Sequence, residues 1–373
     1  MLYAVLGLGV ASFLLSLVLT RVMIWFAPKI GFVDKPGHRK IHTNPKPLGG
    51  GVAMFWGFAI PLALGVAINY LDPNLERFNP EGDLTLALAR GMKLHTPMAL
   101  GLLGAMFGMH ILGLVDDKKA LGPFIKLFIQ LGITAAFVTC FNVRALTALD
   151  NLGMGRWPSI VVTVLWIGAI TNAFNFLDNM DGLSAGVAAV CTTAFLVTAL
   201  SIGQWFVAGS LALLLGSLLG FLVWNFPPAK IFMGDSGSLL IGLVLGVLTV
   251  RTTYLPNNVS FNAGWYSVLA PIIVLALPLY DLIVVSIIRL LNGKSPFVGD
   301  TNHFSHRLVR RGMSKRTAVL CLYLVTASTS IAAILLPHVQ SSGGAILIFC
   351  QTVLILGVVA LLEQHPLPPG EDK

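Results

Sequence analysis

Five acidic residues, Asp116, Asp117, Asp178, Asp181 and Asp235, stand at the ends of apolar segments in a chain that is otherwise poor in charge. Asp116 and Asp117 are adjacent in LGLVDDKKALGPFIK, with Lys118, Lys119 and Lys126 close behind. Neighbouring carboxylates do not both ionise cheaply in a low-dielectric site unless a cation is near. Acids at membrane depth are rare enough to point to function. Metal or phosphate chemistry is therefore favoured over a solvated turn. In TNAFNFLDNMDGLSAG, Asn172, Asn175 and Asp178 recur every three residues and Asp181 continues the series. On a helix that spacing places all four along one slowly rotating face. A stripe of amide and carboxylate oxygens suits a hard divalent cation, although Asn and Asp also favour helix caps. Gly182 permits a tight turn and close approach of a ligand to the backbone. In WNFPPAKIFMGDSGSLLIG, Asp235 sits in a Gly-Asp-Ser-Gly-Ser turn just before an apolar helix. Alone it reads equally well as an N-cap; beside the other two elements it becomes the natural remaining metal ligand. Asn225, ahead of the Pro pair, could hydrogen-bond a base or a sugar.

Two basic loops complement these acids. In SPFVGDTNHFSHRLVRRG, His303 and His306 lie three apart, so a helical turn presents both on one side, followed by Arg307, Arg310 and Arg311. His with several Arg beside an acidic metal site suits a polyphosphate. Zinc is disfavoured because no HExxH or CxxC accompanies them. The loop DKPGHRKIHTNPKPLGGG, which carries Lys40 and His42, cannot be helical throughout because of its prolines, and it matches no P-loop. Asp281 lies inside an apolar stretch with Arg289 two turns on as its candidate partner. His110, in another apolar stretch, reads as a packed helix residue rather than a ligand.

The elements that must position these residues are membrane helices. Hydrophobic residues make up 56% of the chain, charged residues 11%, and the mean hydropathy is +0.83, which is not the composition of a soluble globular protein. About eleven stretches approach the roughly 20 apolar residues needed to span a bilayer: 2–26, 50–70, 97–115, 123–141, 158–174, 183–201, 204–224, 236–254, 264–290, 316–337 and 343–362. The expectation is an all-α polytopic membrane protein, a single membrane-embedded domain over 1–373. The apolar N-terminal run carries no positive charge before Arg21, which favours an N-terminus outside and, with an odd helix count, a cytoplasmic C-terminus. Of the 24 Lys+Arg, only Arg77, Arg90, Lys93, Arg144, Arg156 and Arg251 then fall outside, as the positive-inside rule requires. Parity of crossing puts every site carboxylate on the cytoplasmic face. The segment 71–95 reads as the longest outer loop, its acids merely solvated. The four cysteines show neither metal-ligand spacing nor a disulfide framework.

With these motifs in this order, from about Asp34 to Arg311, the chain resembles the polyprenyl-phosphate N-acetylhexosamine-1-phosphate transferase family. The resemblance implies a membrane enzyme that transfers a sugar 1-phosphate from a UDP-sugar to undecaprenyl or another polyprenyl phosphate and releases UMP. It implies magnesium, with manganese as a substitute, held by Asp235 and Asn175. It implies catalytic roles for Asp116, Asp117, Asp178, Asp181, His303 and His306. Lys40, His42, Lys126, Gly182, Leu183, Asn225 and Arg307 are then the substrate-binding residues. The last inner loop reads NHFSHRL, nearer the GlcNAc-type branch than the peptidoglycan branch, which has three consecutive His; Ser305 stands where the GlcNAc-type branch usually has its middle His. The implied place is the inner (plasma) membrane, with no nucleic-acid partner; membrane lipid surrounds the chain, and a homodimer is compatible with the family. The competing readings are a phospho-MurNAc-pentapeptide transferase and, from a different class, a secondary transporter. A transporter places polar residues near the midplane of paired repeats, whereas here they cluster at helix ends on one side.

Overall fold

The computed structural model describes residues 1–34, 45–71, 83–253, 268–296, 302–336, 339 and 341–364. Among these, thirteen α-helices follow one another: α1 (Leu2–Lys29), α2 (Gly50–Leu71), α3 (Asp83–Lys118), α4 (Pro123–Phe141), α5 (Trp157–Leu177), α6 (Leu183–Ser201), α7 (Trp205–Asn225), α8 (Asp235–Thr253), α9 (Leu269–Val274), α10 (Ala276–Leu291), α11 (Phe304–Arg310), α12 (Lys315–Ile334) and α13 (Ser342–Gln364). Ten of the described helices are long and apolar enough to cross a membrane. A two-residue antiparallel ladder pairs Val33 with Pro47 and Asp34 with Lys46, which roots the basic loop beside the end of α1. Lys40 and His42 lie outside the described residues.

Two segments differ from expectation. The stretch 264–290 is not one span but two end-to-end helices, α9 and α10, meeting at Leu275. Pro278 supplies the reason: it lacks the N–H that would bond back to Val274, and its ring crowds that carbonyl. Residues 83–95 of the expected outer loop are helix, because α3 runs back through Pro97 to Asp83. Its segment LTLALA is rich in Leu and Ala, good helix formers that carry the helix beyond the apolar core.

Helices in lipid gain little from hydrophobic exclusion of one another, so close packing through small residues holds them together. The α1/α7 contact shows this. Ser12 and Ser16 donate hydroxyl hydrogen bonds to the carbonyls of Leu213 and Ser217, each at 2.7 Å. A Cβ on Gly216 would lie 2.2 Å from the Gly9 carbonyl oxygen. The α5/α8 contact uses the same device: a Cβ on Gly242 would lie 2.3 Å from the Thr171 Cα, and one on Gly246 3.1 Å from the Ile167 Cα. Helix α8 sits deepest, with most of its residues buried. Its N-terminus is crowded by backbone on two further sides, since a Cβ on Gly113 (α3) would meet the Ser236 Cα at 2.3 Å and one on Gly51 (α2) the Gly237 nitrogen at 2.4 Å. These glycines bring the ends of α2, α3, α5 and α8 together.

Candidate active site

The start of α8 is the centre of the site. Asp235 is its first helical residue, and Gly234 before it has φ of 73°, a left-handed conformation that favours glycine. The α8 N-terminus is capped from another helix. Asp117, near the C-terminal end of α3, accepts the Asp235 N–H at 2.7 Å on Oδ1 and the Ser236 N–H at 3.2 Å on Oδ2. The N-cap role that the sequence offered to Asp235 thus belongs to Asp117. A Cβ at position 234 would lie 2.5 Å from Asp117 Oδ2, so both strain and contact forbid a side chain. We predict that Gly234→Ala lowers stability by about 1–3 kcal/mol and impairs activity, as read by thermal unfolding and turnover.

Around Asp235 a cationic hub forms. Lys126, one turn into α4, pairs closely with Asp235 Oδ2; its Nζ lies 3.2 Å from Asp116 Oδ2 and 3.3 Å from Asn175 Oδ1. Asn175 Nδ2 in turn donates to Asp235 Oδ1 at 2.8 Å and to Ser238 Oγ at 2.9 Å. Asp116 Oδ1 accepts the Leu121 N–H at 2.8 Å, which fixes the α3/α4 turn. Three helices, α3, α5 and α8, thus point carboxylate and amide oxygens at one positive charge carried by a fourth, α4. The Lys126 ammonium occupies the place where a cation is favoured, and the donors are hard oxygens that suit a divalent ion of the magnesium class. The described residues hold no cluster of three or more His, Cys, Asp or Glu placed to grip a metal by themselves. The donor set that fits is two carboxylates and an amide.

The expected stripe on α5 breaks. Helix α5 ends at Leu177, Asp178 is its C-cap, and Asp181 lies in the following turn. Asn172 turns aside to Gln130 Oε1 at 3.0 Å and to the Gly168 carbonyl at 2.8 Å, so only Asn175 of the helical pair reaches the hub. Asp181 accepts the Ala229 N–H at 3.0 Å. The Asp178 carboxyl is pushed well above the usual carboxylate range, first by its burial and then by the charges of Asp235, Asp117 and Asp181. A raised carboxyl destabilises the fold once pH exceeds its ordinary range, because ionisation is then favoured in the unfolded chain. Asp178→Asn is therefore expected to raise the melting temperature of the substrate-free protein at neutral pH, a gain of about 0.5–2 kcal/mol that vanishes in acid, where Asp178 is already protonated. Activity is expected to fall in the same variant.

Gly182 has φ of 74° and is tied on both sides: its N–H donates to Asn225 Oδ1 at 2.9 Å, and its carbonyl accepts from the Tyr323 hydroxyl. Asn225 is buried and its amide also donates to the Ile231 carbonyl at 2.9 Å, so it braces two loops. The Leu183 side chain lies in the core. Lys46 Nζ donates to the Ala229 carbonyl at 2.8 Å, and Gly50 and Gly51 donate to the carbonyls of Phe232 and Met233. The root of the first basic loop is thereby anchored beside Asp235.

His303 is the N-cap of α11 rather than a residue on its face. It is buried, with Nδ1 2.7 Å from Asp281 Oδ2 and Nε2 3.3 Å from an Arg289 nitrogen. Asp281 Oδ1 also accepts the Phe304 N–H at 3.2 Å. Asp281 and Arg289, paired on sequence grounds, therefore share His303 between them. Arg289 also lies over the Phe176 ring, 5.0 Å from its centroid, and Ser305 donates to Asn179 Oδ1 at 2.6 Å; the first contact docks α10, the second α11, against the end of α5. His306 is half-buried, and burial, with the neighbouring His303 and Arg310, holds its imidazole below the usual range, so it is neutral at pH 7. Arg307 reaches the buried Glu363 of α13 at 2.8 Å. His110 is the packed residue expected, stacked on Phe55 with centroids 4.7 Å apart and 3.1 Å from the Ser236 carbonyl. Sequence reasoning missed Ser238, Asn179, Tyr323 and Glu363. Ser238 stands one helical turn after Asp235 and was open to discovery; the others are joined to the site only by tertiary packing.

Residues 99–253 match the family model described as "Glycosyl transferase family 4". The chain is 36% identical over 333 residues to a Bacillus subtilis (strain 168) protein named "Probable undecaprenyl-phosphate N-acetylglucosaminyl 1-phosphate transferase", covering 88% of this chain and 83% of the relative. It is 32% identical to the "Decaprenyl-phosphate N-acetylglucosaminephosphotransferase" of Mycobacterium tuberculosis (strain ATCC 25618 / H37Rv), over 85% of this chain and 78% of that one. It is 28% identical to the "Undecaprenyl-phosphate alpha-N-acetylglucosaminyl 1-phosphate transferase" of Escherichia coli O157:H7, over 86% and 82% respectively.

Proposed function

The chain belongs to glycosyl transferase family 4, and from that premise we propose that it transfers N-acetylglucosamine 1-phosphate from UDP-GlcNAc to undecaprenyl or a related polyprenyl phosphate, releasing UMP. The observation that carries the chemistry is the convergence of Asp116, Asp235 and Asn175 on Lys126 at one end of the bundle. The proposed reaction brings together two anions, a lipid monophosphate and a sugar diphosphate, and their repulsion is the main obstacle. A site for it must therefore concentrate positive charge and hold it rigidly.

Asp235 and Asn175, with Asp116 beside them, would hold magnesium, which when bound supplies neutralisation of the diphosphate and of the departing UMP. Lys126, which would yield these oxygens to the ion, adds a second positive charge to the same site. Asp117 keeps Asp235 in register by capping α8. The acceptor needs no strong base, since a phosphate monoester is largely dianionic near neutral pH, with a second pKa of about 6. We therefore favour direct in-line attack by the lipid phosphate on the sugar-bearing phosphorus. A phosphorylated enzyme formed from UDP-sugar alone would replace that step with a covalent one. His303 serves to position α11, which brings neutral His306 and a run of Arg to the same end of the bundle. We place this end in the cytoplasm, a reading supported by the excess of Lys and Arg over the opposite side.

The test is UMP release by the purified full-length protein with magnesium, undecaprenyl phosphate and either UDP-GlcNAc or UDP-MurNAc-pentapeptide. Release that needs both UDP-GlcNAc and the lipid, and that Asp235→Ala abolishes, is expected. Release with the pentapeptide donor alone would move the protein to the peptidoglycan branch. No release with either donor, together with substrate flux into vesicles, would replace the enzyme with a transporter.

A further inference from the structure

At the end of the bundle opposite the carboxylates, α1, α2, α3, α7 and the last turns of α8 line a half-open cavity of about 920 Å³. That size lies within the roughly 300–1,000 Å³ usual for ligand sites. Its walls are mostly apolar, from residues such as Leu8, Leu62, Val66 and Leu213. Arg251, His95 and Gln204 also line it. Arg251 Nε and Gln204 Oε1 are buried without a hydrogen-bond partner, and His95 is stacked on Phe206 with centroids 4.8 Å apart.

A guanidinium with a buried, unpaired N–H in an apolar wall is costly, and an anion removes the cost. In a bilayer the abundant anions that bring apolar tails with them are acidic lipids. We propose that this cavity binds an anionic phospholipid, with its phosphate diester at Arg251 and His95 and an acyl chain along the apolar wall between α1, α2 and α7. The site is distinct from the carboxylate centre: Arg251 stands sixteen residues along α8 from Asp235, roughly 24 Å at 1.5 Å per residue. The proposal does not depend on the transferase reading.

The experiment is native mass spectrometry of the full-length protein extracted from bilayers of equal phosphatidylglycerol and phosphatidylcholine. The expected result is about one phosphatidylglycerol retained per chain, in preference to phosphatidylcholine. Arg251→Gln should lower that retention by about tenfold or more, Arg251→Lys should largely keep it, and Val66→Trp, which fills the cavity, should abolish it. UMP release by Arg251→Gln in detergent should stay at the wild-type level, reporting that the variant is folded. Equal retention of the two lipids, undiminished retention by Arg251→Gln, displacement by inorganic phosphate alone, or retention only of undecaprenyl phosphate would each overturn the proposal. If Arg251→Gln does not fold, retention by Val66→Trp equal to wild type is enough to overturn it.

Discussion

Replacing Lys126 with methionine is expected to lower UMP release by about 10²–10³-fold, the usual cost of removing one preorganised group that stabilises developing charge. Methionine keeps the length and apolar stem of the side chain and removes only the ammonium. Asp116 and Asp235 would then face each other with no cation between them. Breaking a fully buried ion pair costs about 3–5 kcal/mol. Here the side chains keep between 13% and 28% of their exposure, so a stability loss of roughly 1–3 kcal/mol is expected once solvent screening is allowed for. The same variant tests the oxygen pocket independently of turnover. With the ammonium gone, manganese or magnesium should raise its melting temperature more than that of the wild type, because binding to the folded state alone stabilises it. A melting temperature indifferent to divalent cations would mean that these oxygens do not form a cation site.

Asp117→Asn is expected to cost about 1–2 kcal/mol of stability, the scale of a lost helix cap, and at least about tenfold in activity, since a shift of only 1 Å at a reacting centre can cost about 10²-fold. The carboxylate uses both oxygens on backbone N–H groups of α8. An asparagine has one acceptor oxygen, and its amide nitrogen would place a donor against a donor. The partial positive charge at the α8 N-terminus would also lose its counter-charge. Asp117 is in this account a positioning residue that acts through Asp235. Its variant should therefore fall in turnover and thermal stability together, with an unchanged pH dependence of the residual rate. Lost activity at full stability, with an altered pH profile, would make Asp117 a group that touches the acceptor phosphate instead.

The motifs legible in the sequence are those whose partners follow from one-sided helix ends. The Asp116–Asp117 pair, Lys126, Asn175 and Asp235 lie on four separate spans, and parity alone was enough to place them at one end of the bundle. Which oxygen faces which partner was not legible. Asp117 caps α8 only because Gly113 lets α3 approach the backbone at Ser236, and a close approach between helices leaves no periodic signal. The three-residue recurrence of Asn172, Asn175 and Asp178 suggested a continuous face, but the helix stops at Leu177 and Asn172 has Gln130 to bond. The pairing of His303 with Asp281 spans 22 residues and depends on how α11 docks against α10. The division of α9 from α10 was written in Pro278, yet hydropathy alone reads across it. Helix α13 read only as one more apolar span, and packing alone shows its last turn reaching Arg307 through Glu363.

In the proposed reaction sugar and phosphate move together to the lipid. The most direct test uses UDP-GlcNAc labelled with ³²P in the β-phosphate, the one bonded to the sugar, with undecaprenyl phosphate, magnesium and the purified protein, followed by separation of lipid from aqueous phases. The account predicts that the label enters the lipid phase in step with UMP release. A glycosylated lipid without label, with ³²P left in water-soluble UDP, would show transfer of the sugar alone and contradict it.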